Sequence, residues 1–374
     1  MSSSYFSELK EWSVRKHELL TKYLDGFVRI LGGATKSLVF YIDGFAGPGL
    51  YDDGKEGSPV LAAKYAQSLS GRHYSLYCIN VEIDQVLFNN LECNTLPYGT
   101  FIMNRLGAFG DHVDWIINYI GSRPAIFFLD PFGVKGIEWR HISKVLKRPY
   151  TTEFLLRISP NDIGRLAGFL DSESQEAAGK CQLLTDLYGF SDSGQWEQAW
   201  PSRRVEGLVD LYIERLGQGM LLGGKRSYRC SYPIRTIDGE LKYHLVFATR
   251  HPKGAVLMND TIYNREETYE LEVREYQNGQ SLRQLSMLDI IEPMPTEEEI
   301  TKAKVDELKA DIWRKFQGKT ARRLDIRTAM LEKWFGRVKG PHFTRAFKEM
   351  KQEGKITKHS GPVFDPNTYI TFKG

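Results

Sequence analysis

The stretch of this 374-residue chain that most constrains its fold is an apolar run that ends in an aspartate and a glycine-rich turn. Residues 38–49 read Leu-Val-Phe-Tyr-Ile-Asp-Gly-Phe-Ala-Gly-Pro-Gly. A continuous apolar run is typical of a buried parallel strand, and glycine lets the backbone approach a ligand closely. Ligands of open α/β sheets bind just beyond the carboxyl ends of the strands. The stretch therefore predicts a strand that ends at Asp43 and a binding turn after it, with an ordinary loop as the alternative.

Two further apolar runs also end in acidic residues. Tyr74–Val81 is followed by Glu82, and Ala125–Leu129 is followed by Asp130. Because parallel strands of one sheet end at the same edge, Asp43, Glu82 and Asp130 are expected at neighbouring strand ends. A carboxylate at the end of the second strand can accept hydrogen bonds from both hydroxyls of a ribose. The pattern predicts a ligand site at this edge, and scattered surface acids are the alternative.

Three other segments complete an α/β layout. Ser58 precedes a proline, which predicts that it is the N-cap of a helix after the glycine turn. Residues 161–220 carry apolar side chains at helical spacing and predict a helical insertion. Two apolar runs then flank Asp238-Gly239, a strong signal for a two-residue hairpin.

The C-terminal part differs from the rest of the chain in charge. Residues 301–374 hold 18 Lys and Arg against 8 Asp and Glu, which leaves 32 against 39 in the first 300 residues. A capping-box pattern at Thr296–Glu299 opens a helix, and two more helices and two short paired strands follow. Residues 296–374 therefore predict a basic, winged-helix-like domain.

The third helix of this domain begins at Pro341 and has one cationic face. Arg345, Lys348 and Lys351 lie opposite its apolar side. The third helix of a winged helix usually enters a nucleic-acid groove, so these three residues are the candidate nucleic-acid contacts. A simply solvated face and a protein-docking surface are the alternatives.

Composition narrows the cellular context. No run approaches the about 20 apolar residues that a membrane span needs, and the N-terminus lacks the pattern of a signal peptide. The four cysteines include no C-x-x-C pair, so neither a zinc site nor a disulfide framework is predicted. We expect a protein of the reducing cytoplasm without membrane contact.

These motifs resemble those of class I S-adenosylmethionine-dependent methyltransferases. Residues 43–49 are similar to the first motif of that class, Val81–Asp84 to the second, and Asp130–Gly133 to the fourth. The resemblance implies a Rossmann-like, mostly parallel seven-stranded sheet that ends in an antiparallel hairpin, with S-adenosylmethionine as the cofactor. The cofactor-binding residues that it implies are Asp43, Gly44, Phe45, Ala46, Gly47, Gly49, Glu82, Ile83 and Asn104. Asp111 competes with Asn104 for the adenine contact.

A closer resemblance covers most of the chain. Besides the glycine turn, the matching segments are Lys16–Leu24, Gly57–Pro59, Asp130–Gly136 and Tyr243–Thr249. Together they look like those of the three-Cys-motif partner proteins, a bacterial family named for a gene neighbour with three cysteines. That neighbour is similar to radical-SAM enzymes. The resemblance implies such a protein as a partner. Lys16 and His17 match the family pattern and are candidates for the substrate mouth, with a surface or helix-capping role as the alternative for His17.

Residue types narrow the chemistry further. In amino-group methyltransferases, an Asp carboxylate and the next proline's carbonyl accept the amino hydrogens, and an aromatic ring holds the base. Asp130, Pro131 and Phe132 would supply these parts, with Gly133 at the usual aromatic position. The D-P-F-G form resembles tRNA guanine-N2 dimethyltransferases, so both RNA and DNA stay open. Cytosine C5 methylation is disfavoured because no Pro-Cys dipeptide occurs. A helix cap at Asp130 with Phe132 in the core is the alternative.

The resulting domain assignment places the cofactor domain in 1–160 and 221–290, the insertion in 161–220 and the winged helix in 296–374. Three functions remain open. The first is a methyltransferase that acts on a nucleic-acid base, with an exocyclic amine as target. The second is a non-catalytic subunit that binds cofactor and nucleic acid for the three-Cys-motif protein. The third is an NAD-type oxidoreductase, which is weakest because the turn lacks G-x-G-x-x-G.

Overall fold

The computed structural model describes residues 6–35, 38–169, 172, 174–191, 204–221, 226–281 and 296–374. The chain forms two compact units, Met1–His251 and Pro252–Gly374. The domain boundary expected between 290 and 296 lies outside the described residues. Across the described ranges, no helix combines the length and the apolar character needed to cross a lipid bilayer.

The first unit alternates strands and helices. Its strands are β1 (Leu38–Asp43), β2 (Ser75–Glu82), β3 (Ile102–Leu106), β4 (Ala125–Leu129), β5 (Thr152–Ile158), β6 (Tyr228–Arg235) and β7 (Leu241–Thr249). Its helices are α1 (Glu11–Thr35), α2 (Ser58–Ser68), α3 (Gln85–Thr95), α4 (Phe109–Ile120), α5 (Trp139–Leu146), α6 (Pro160–Ala167), α7 (Gln175–Tyr188) and α8 (Val205–Gly219). The predicted helical insertion corresponds to α6, α7 and α8, and its residues 192–203 lie outside the described part.

The seven strands form one sheet in the order β3-β2-β1-β4-β5-β7-β6. Strands β1 to β5 are parallel, whereas β7 pairs antiparallel with β5 and with β6. The predicted mostly parallel sheet with a terminal antiparallel hairpin is therefore confirmed. Because the chain proceeds from β1 to one side and later to β4 on the other, the strand order reverses between β1 and β4.

The core of this unit lies on the central strands. Every residue of β4 is buried, as its continuous apolar run predicts. Phe127 of β4 stacks on Phe154 of β5 with 5.6 Å between ring centroids. Burial of one such side chain contributes about 1.5–3 kcal/mol, so these strands hold the sheet's carboxyl edge firmly in place.

The start of α2 differs from the prediction. The N-cap residue is Gly57 and not Ser58, so no side chain accepts a hydrogen bond from the first turn of the helix at the N-cap position. The Ser58 hydroxyl instead donates a hydrogen bond of 2.7 Å to the Asp43 carboxylate. Ser58 therefore fastens α2 to the end of β1.

In the described residues of the second unit there are four helices and a small sheet. The elements are α9 (Pro252–Ser281), α10 (Glu297–Phe316), β8 (Thr320–Arg322), α11 (Arg323–Trp334), α12 (Gly340–Gln352), β9 (Ile356–His359) and β10 (Tyr369–Phe372). The antiparallel strands lie in the order β8-β10-β9, which confirms the predicted pairing of the last two strands. The predicted capping box of Thr296 and Glu299 is present at the start of α10.

The helix α9 groups with the C-terminal unit, although the sequence assignment placed 221–290 with the sheet domain. Asn259 of α9 donates a hydrogen bond of 2.8 Å to the Val338 carbonyl. Arg327 of α11 pairs with Asp260 of α9 at 2.7 Å. These contacts tie α9 to α11 and to the turn after it.

Candidate active site

Three carboxylates occur where the sequence places them, at the carboxyl edge of the sheet. Asp43 ends β1, Glu82 ends β2, and Asp130 directly follows β4. A small cavity at this edge is lined by Asp130, by the glycine turn and by residues of α1. The site therefore lies where the strand order reverses, the usual ligand position of open α/β sheets.

Asp43 stabilises the turn from inside the protein. Its carboxylate is fully buried and accepts hydrogen bonds from the Ser58 hydroxyl at 2.7 Å, the Tyr41 hydroxyl at 2.9 Å and the Phe45 amide at 3.2 Å. Burial raises the pKa of Asp43 to about 6, against the lowering effect of these donors. Asp43 therefore positions the turn, and its carboxylate does not face the cavity as an open acceptor.

Backbone N–H groups of the glycine turn donate hydrogen bonds to other parts of the protein. The pairs are Gly44 N–H to the Phe128 carbonyl (3.0 Å), Ala46 N–H to the Val81 carbonyl (3.0 Å) and Gly47 N–H to the Glu82 carboxylate (2.8 Å). Gly47 and Gly49 have φ of 65° and 80°, in the left-handed region that favours glycine. The turn is thus fastened to β4 and β2, and it presents its outer face to the cavity.

Glu82 retains acceptor capacity for a ligand. One carboxylate oxygen accepts the Gly47 amide, and the other accepts the Asp84 amide at 2.8 Å. Burial raises the pKa of Glu82, although hydrogen bonds from the amides of Asp84, Gly47 and Ile83 oppose that shift. Since the two carboxylate oxygens have four lone pairs between them, acceptor capacity remains beside these amide donors. The next side chain, Ile83, is 55% exposed and can cover a flat ring.

Asn104 does not lie with these residues. It is in the middle of β3, and its amide nitrogen donates to Thr95 at 2.8 Å and to Glu92 at 2.6 Å, both on α3. Its oxygen accepts a hydrogen bond from Asn80 at 2.9 Å. The structure therefore commits Asn104 to packing between β2, β3 and α3. Its competitor Asp111 is exposed in the first turn of α4.

Asp130 is held by two cations. Lys16 Nζ, whose side chain is 3% exposed, donates to Asp130 Oδ2. Arg157 Nε lies 3.7 Å from Oδ1. Burial alone would raise the pKa of Asp130, but Lys16 and Arg157 outweigh it and lower the pKa below its ordinary value. Asp130 is thus a positioned carboxylate that stays ionised.

The Pro131 carbonyl is also engaged, because Arg157 Nη1 donates to it. Both acceptors expected to take the hydrogens of a target amine, Asp130 and Pro131, therefore carry a cationic partner. Arg157 was not predicted as a site residue. In the sequence only its charge marks Arg157, because it is the one charged residue in the otherwise apolar second half of β5.

Phe132 and Gly133 turn the chain away from β4. Phe132 is 40% exposed, which excludes the alternative that it fills the core. The helix-cap alternative also fails, because α5 begins only at Trp139 with Glu138 as its N-cap. Gly133 has φ of 85°, so it supplies the turn and leaves Phe132 at the surface of the site.

The N-terminal segment fills the space beside the glycine turn, which sequence reasoning missed. The Phe6 ring meets Phe132 edge to face at 6.0 Å between centroids. A Cβ added to Gly47 would lie 2.9 Å from Phe6 Cε1. The Phe6 carbonyl accepts the Asp52 amide at 2.8 Å. The remaining cavity measures only about 30 Å³, so a ligand the size of a nucleoside fits beside Gly47 only after Phe6 has moved.

His17 lines the same cavity. It is 6% exposed, and its Nδ1 has no hydrogen-bond partner among the described residues. Burial, reinforced by the neighbouring Lys16 charge, lowers the pKa of His17 to about 3. The imidazole is therefore neutral at physiological pH and is a weak base.

The three candidate nucleic-acid contacts lie on α12 in different surroundings. Arg345 pairs with Glu298 at 2.8 Å and with Glu349 at 2.9 Å. Two carboxylates thus already balance its charge, which the helical pattern did not predict.

The other two cations are more available. Lys351 donates to His359 Nε2 at 2.7 Å, whereas Lys348 is exposed. Lys348 and Arg345 line a groove of about 710 Å³ together with Arg323 and Arg327. Arg323 and Arg327 of α11 are buried, however, and Arg327 is paired with Asp260.

Comparison with known protein families and with curated protein sequences found no significant match. Among solved structures, one similar chain is the O-methyltransferase TomG from Streptomyces achromogenes, in complex with S-adenosylmethionine. It is 13% identical, and the alignment covers 66% of this chain and 92% of that chain, with a TM-score of 0.31. An O-methyltransferase from Bacillus cereus, in complex with S-adenosylhomocysteine, is 13% identical over 60% of this chain and 79% of that chain, with a TM-score of 0.30. The plantazolicin methyltransferase BamL is 10% identical over 66% and 88%, with a TM-score of 0.31. At these low values, the fold assignment rests on the observed strand order.

Proposed function

We propose that this chain is an S-adenosylmethionine-dependent methyltransferase that acts on a nucleic-acid base. The observation that carries this proposal is the placement of the glycine turn, Glu82 and Asp130 at the reversal point of a β3-β2-β1-β4-β5-β7-β6 sheet. An NAD-type oxidoreductase is less well supported, because the antiparallel β7 departs from the parallel order of dinucleotide-binding folds.

The residues at the edge of the sheet fit the cofactor chemically. Glu82 would hold the ribose hydroxyls through its remaining lone pairs, and Ile83 would pack on the adenine. The outer face of Gly47 would take the methionine part once Phe6 has left. When bound, S-adenosylmethionine supplies an electrophilic methyl group.

The chain's own residues would orient the acceptor and remove its proton. Asp130 and the Pro131 carbonyl each retain lone pairs beside their cationic partners, and these can accept hydrogens of an exocyclic amine. Phe132 would hold the base by its exposed ring. The proton that the methylated amine releases would pass by way of the Asp130 carboxylate to water, because the low pKa of His17 makes its imidazole a poor base.

The second candidate function is a non-catalytic subunit that binds cofactor and nucleic acid for a three-Cys-motif protein. The observation that favours it is the engagement of both amine acceptors, since Lys16 holds Asp130 and Arg157 holds the Pro131 carbonyl. In an enzyme these acceptors would have to bind the target amine beside Lys16 and Arg157, whereas a binding subunit has no such requirement.

For residues 296–374 we infer a winged helix that contacts nucleic acid. The helix-strand-helix-helix-strand-strand order from α10 to β10 supports the winged-helix assignment. The balance of +10 in residues 301–374 and the groove that Arg345 and Lys348 line beside α12 support nucleic acid as the ligand.

The test combines calorimetry with methyl transfer. S-adenosylmethionine should bind the wild type, and labelled methyl should appear on DNA or RNA, assayed with and without the three-Cys-motif protein. Asp130→Asn should keep cofactor affinity and abolish transfer, whereas Asp114→Asn, an exposed aspartate on α4, should change neither. Cofactor binding without transfer in any condition supports the second candidate. Absence of cofactor binding overturns both.

A further inference from the structure

A second cleft opens beside Phe132, on the side formed by the helical insertion. It measures about 350 Å³, within the range of small-molecule sites. Helices α6 and α7 and the loop after Pro131 form its walls. We propose that this cleft binds one nucleotide unit of the substrate, with the base between aromatic walls and the phosphate at a cationic rim. This proposal rests on the proposed function and names its acceptor site.

The walls of the cleft suit a flat ring. Phe132 and Phe169 line it together with Leu166 and Leu183. Phe132 is 40% exposed and Phe169 is half-buried, so both rings offer surface to a ligand. Bases stack on such rings whatever their sequence, and the two leucines add apolar surface.

The rim of the cleft suits an anion. Lys135, Arg165 and Lys180 line it against a single carboxylate, Asp162, which gives a formal balance of +2. Arg165 donates to Asp162. Lys180 Nζ lies 5.9 Å from the Phe169 ring centroid, close to where a base would stack. Aromatic rings with cations beside them can bind a nucleotide, because its base stacks on the rings and its phosphate pairs with the cations.

Phe132 connects this cleft to the candidate active site. It lines both the cleft and the cavity that contains His17 and Asp130. A base held on Phe132 would therefore lie next to the groups assigned to methyl transfer. Phe6 packs against Phe132 but is not among the residues that line the cleft.

Nucleotide binding by the full-length protein tests the proposal without cofactor. The probes are nucleosides, their 5′-monophosphates and a short single-stranded oligonucleotide, measured by calorimetry. Lys135→Glu with Lys180→Glu should weaken monophosphate binding about tenfold, and Phe169→Leu should weaken it about as much. Lys22→Glu on α1 and Leu96→Ala after α3 are exposed controls that should leave binding unchanged.

Three outcomes are decisive. Monophosphates that bind better than nucleosides, with loss in the cleft variants, support the site, and the oligonucleotide arm shows whether the source is a free nucleotide or a strand. Equal affinity in wild type and cleft variants overturns the proposal, even if S-adenosylmethionine binds and methyl transfer occurs. If the cofactor does not bind but the cleft variants lose nucleotide affinity, the methyltransferase function fails and the cleft assignment stands. Lys135→Glu alone, at an exposed position, replaces any variant that fails to fold.

Discussion

Lys16 and Asp130 form an ion pair that joins α1 to the end of β4, across 114 positions of sequence. The lysine side chain is 3% exposed and the aspartate side chain 16% exposed, so water screens the pair weakly. The helix α1 precedes the sheet in the chain, and through this contact it forms one wall of the site. It also sets the charge state in which Asp130 meets a substrate.

A double-mutant cycle on this pair is the first prediction. Asp130→Asn leaves Lys16 buried without a counter-charge and should lower the free energy of unfolding by about 3 kcal/mol. Lys16→Met should cost less, because Arg157 remains near Asp130. The double variant should lose less than the sum of the two. Urea denaturation measures all three, and additive losses would show that the pair contributes no coupling.

The second prediction concerns Phe6 and cofactor access. Phe6→Ala should raise the affinity for S-adenosylmethionine and S-adenosylhomocysteine about tenfold, because the cofactor no longer has to displace a packed ring. Phe6→Tyr keeps the ring and should bind like wild type. Calorimetry provides the measurement. Lower affinity in Phe6→Ala would mean instead that the ring forms part of the cofactor site.

The third prediction separates the adenine contact from general stability. Ile83→Ala removes a 55% exposed side chain and should weaken cofactor binding about fivefold at an unchanged melting temperature. Val86→Ala, three residues later and 68% exposed, is the matched control and should bind normally. If the two variants bind alike, Ile83 does not contact the adenine.

The sheet and its carboxyl edge could be predicted from sequence because both depend on local patterns. Apolar runs specify buried strands, and the acids that follow β1, β2 and β4 then meet at one edge. The partners of those acids depend on long-range packing and carry no local signal. Nothing near Asp130 in the sequence indicates Lys16 or Arg157.

Two side chains show the same limit. Asn104 lies on β3, but the direction of its amide depends on α3, which supplies Glu92 and Thr95. Phe6 lies in a segment without periodicity, so only the fold shows that its ring covers Gly47. Backbone placement was predictable in these cases, and side-chain partners were not.

The fourth prediction concerns pH and uses a buried acid away from the site. Burial raises the pKa of Glu153 from its ordinary 4.5 to about 7, against the lowering effect of hydrogen bonds from Tyr23 and Thr249. Because the folded state holds this proton more tightly than the unfolded state, the stabilisation is full below about pH 4.5 and is lost as the pH rises through 7.

Glu153→Gln should therefore remove that part of the pH dependence. The wild type should lose about 3 kcal/mol across this window from Glu153, whereas the variant should show a correspondingly flatter profile. Glu214→Gln, an exposed glutamate on α8, should keep the wild-type profile. Denaturant unfolding at a series of pH values measures the difference. A variant profile as steep as that of the wild type would contradict the assignment of the proton to Glu153.

The last prediction concerns Lys348 on α12. If Lys348 neutralises a phosphate, Lys348→Glu should weaken nucleic-acid binding and reduce the slope of log affinity against log salt by at least about 0.9 on duplex DNA. Lys302→Glu on α10 makes the same charge change at another exposed position and should preserve the slope. Arg345→Gln should affect binding less, since Glu298 and Glu349 already hold that guanidinium, but it should lower the melting temperature. Fluorescence anisotropy over a salt series gives the slopes. Each phosphate contact releases counterions when it forms, so a variant that has lost one contact must show a smaller slope. Identical slopes for Lys348→Glu and wild type would therefore exclude Lys348 from the phosphate contacts.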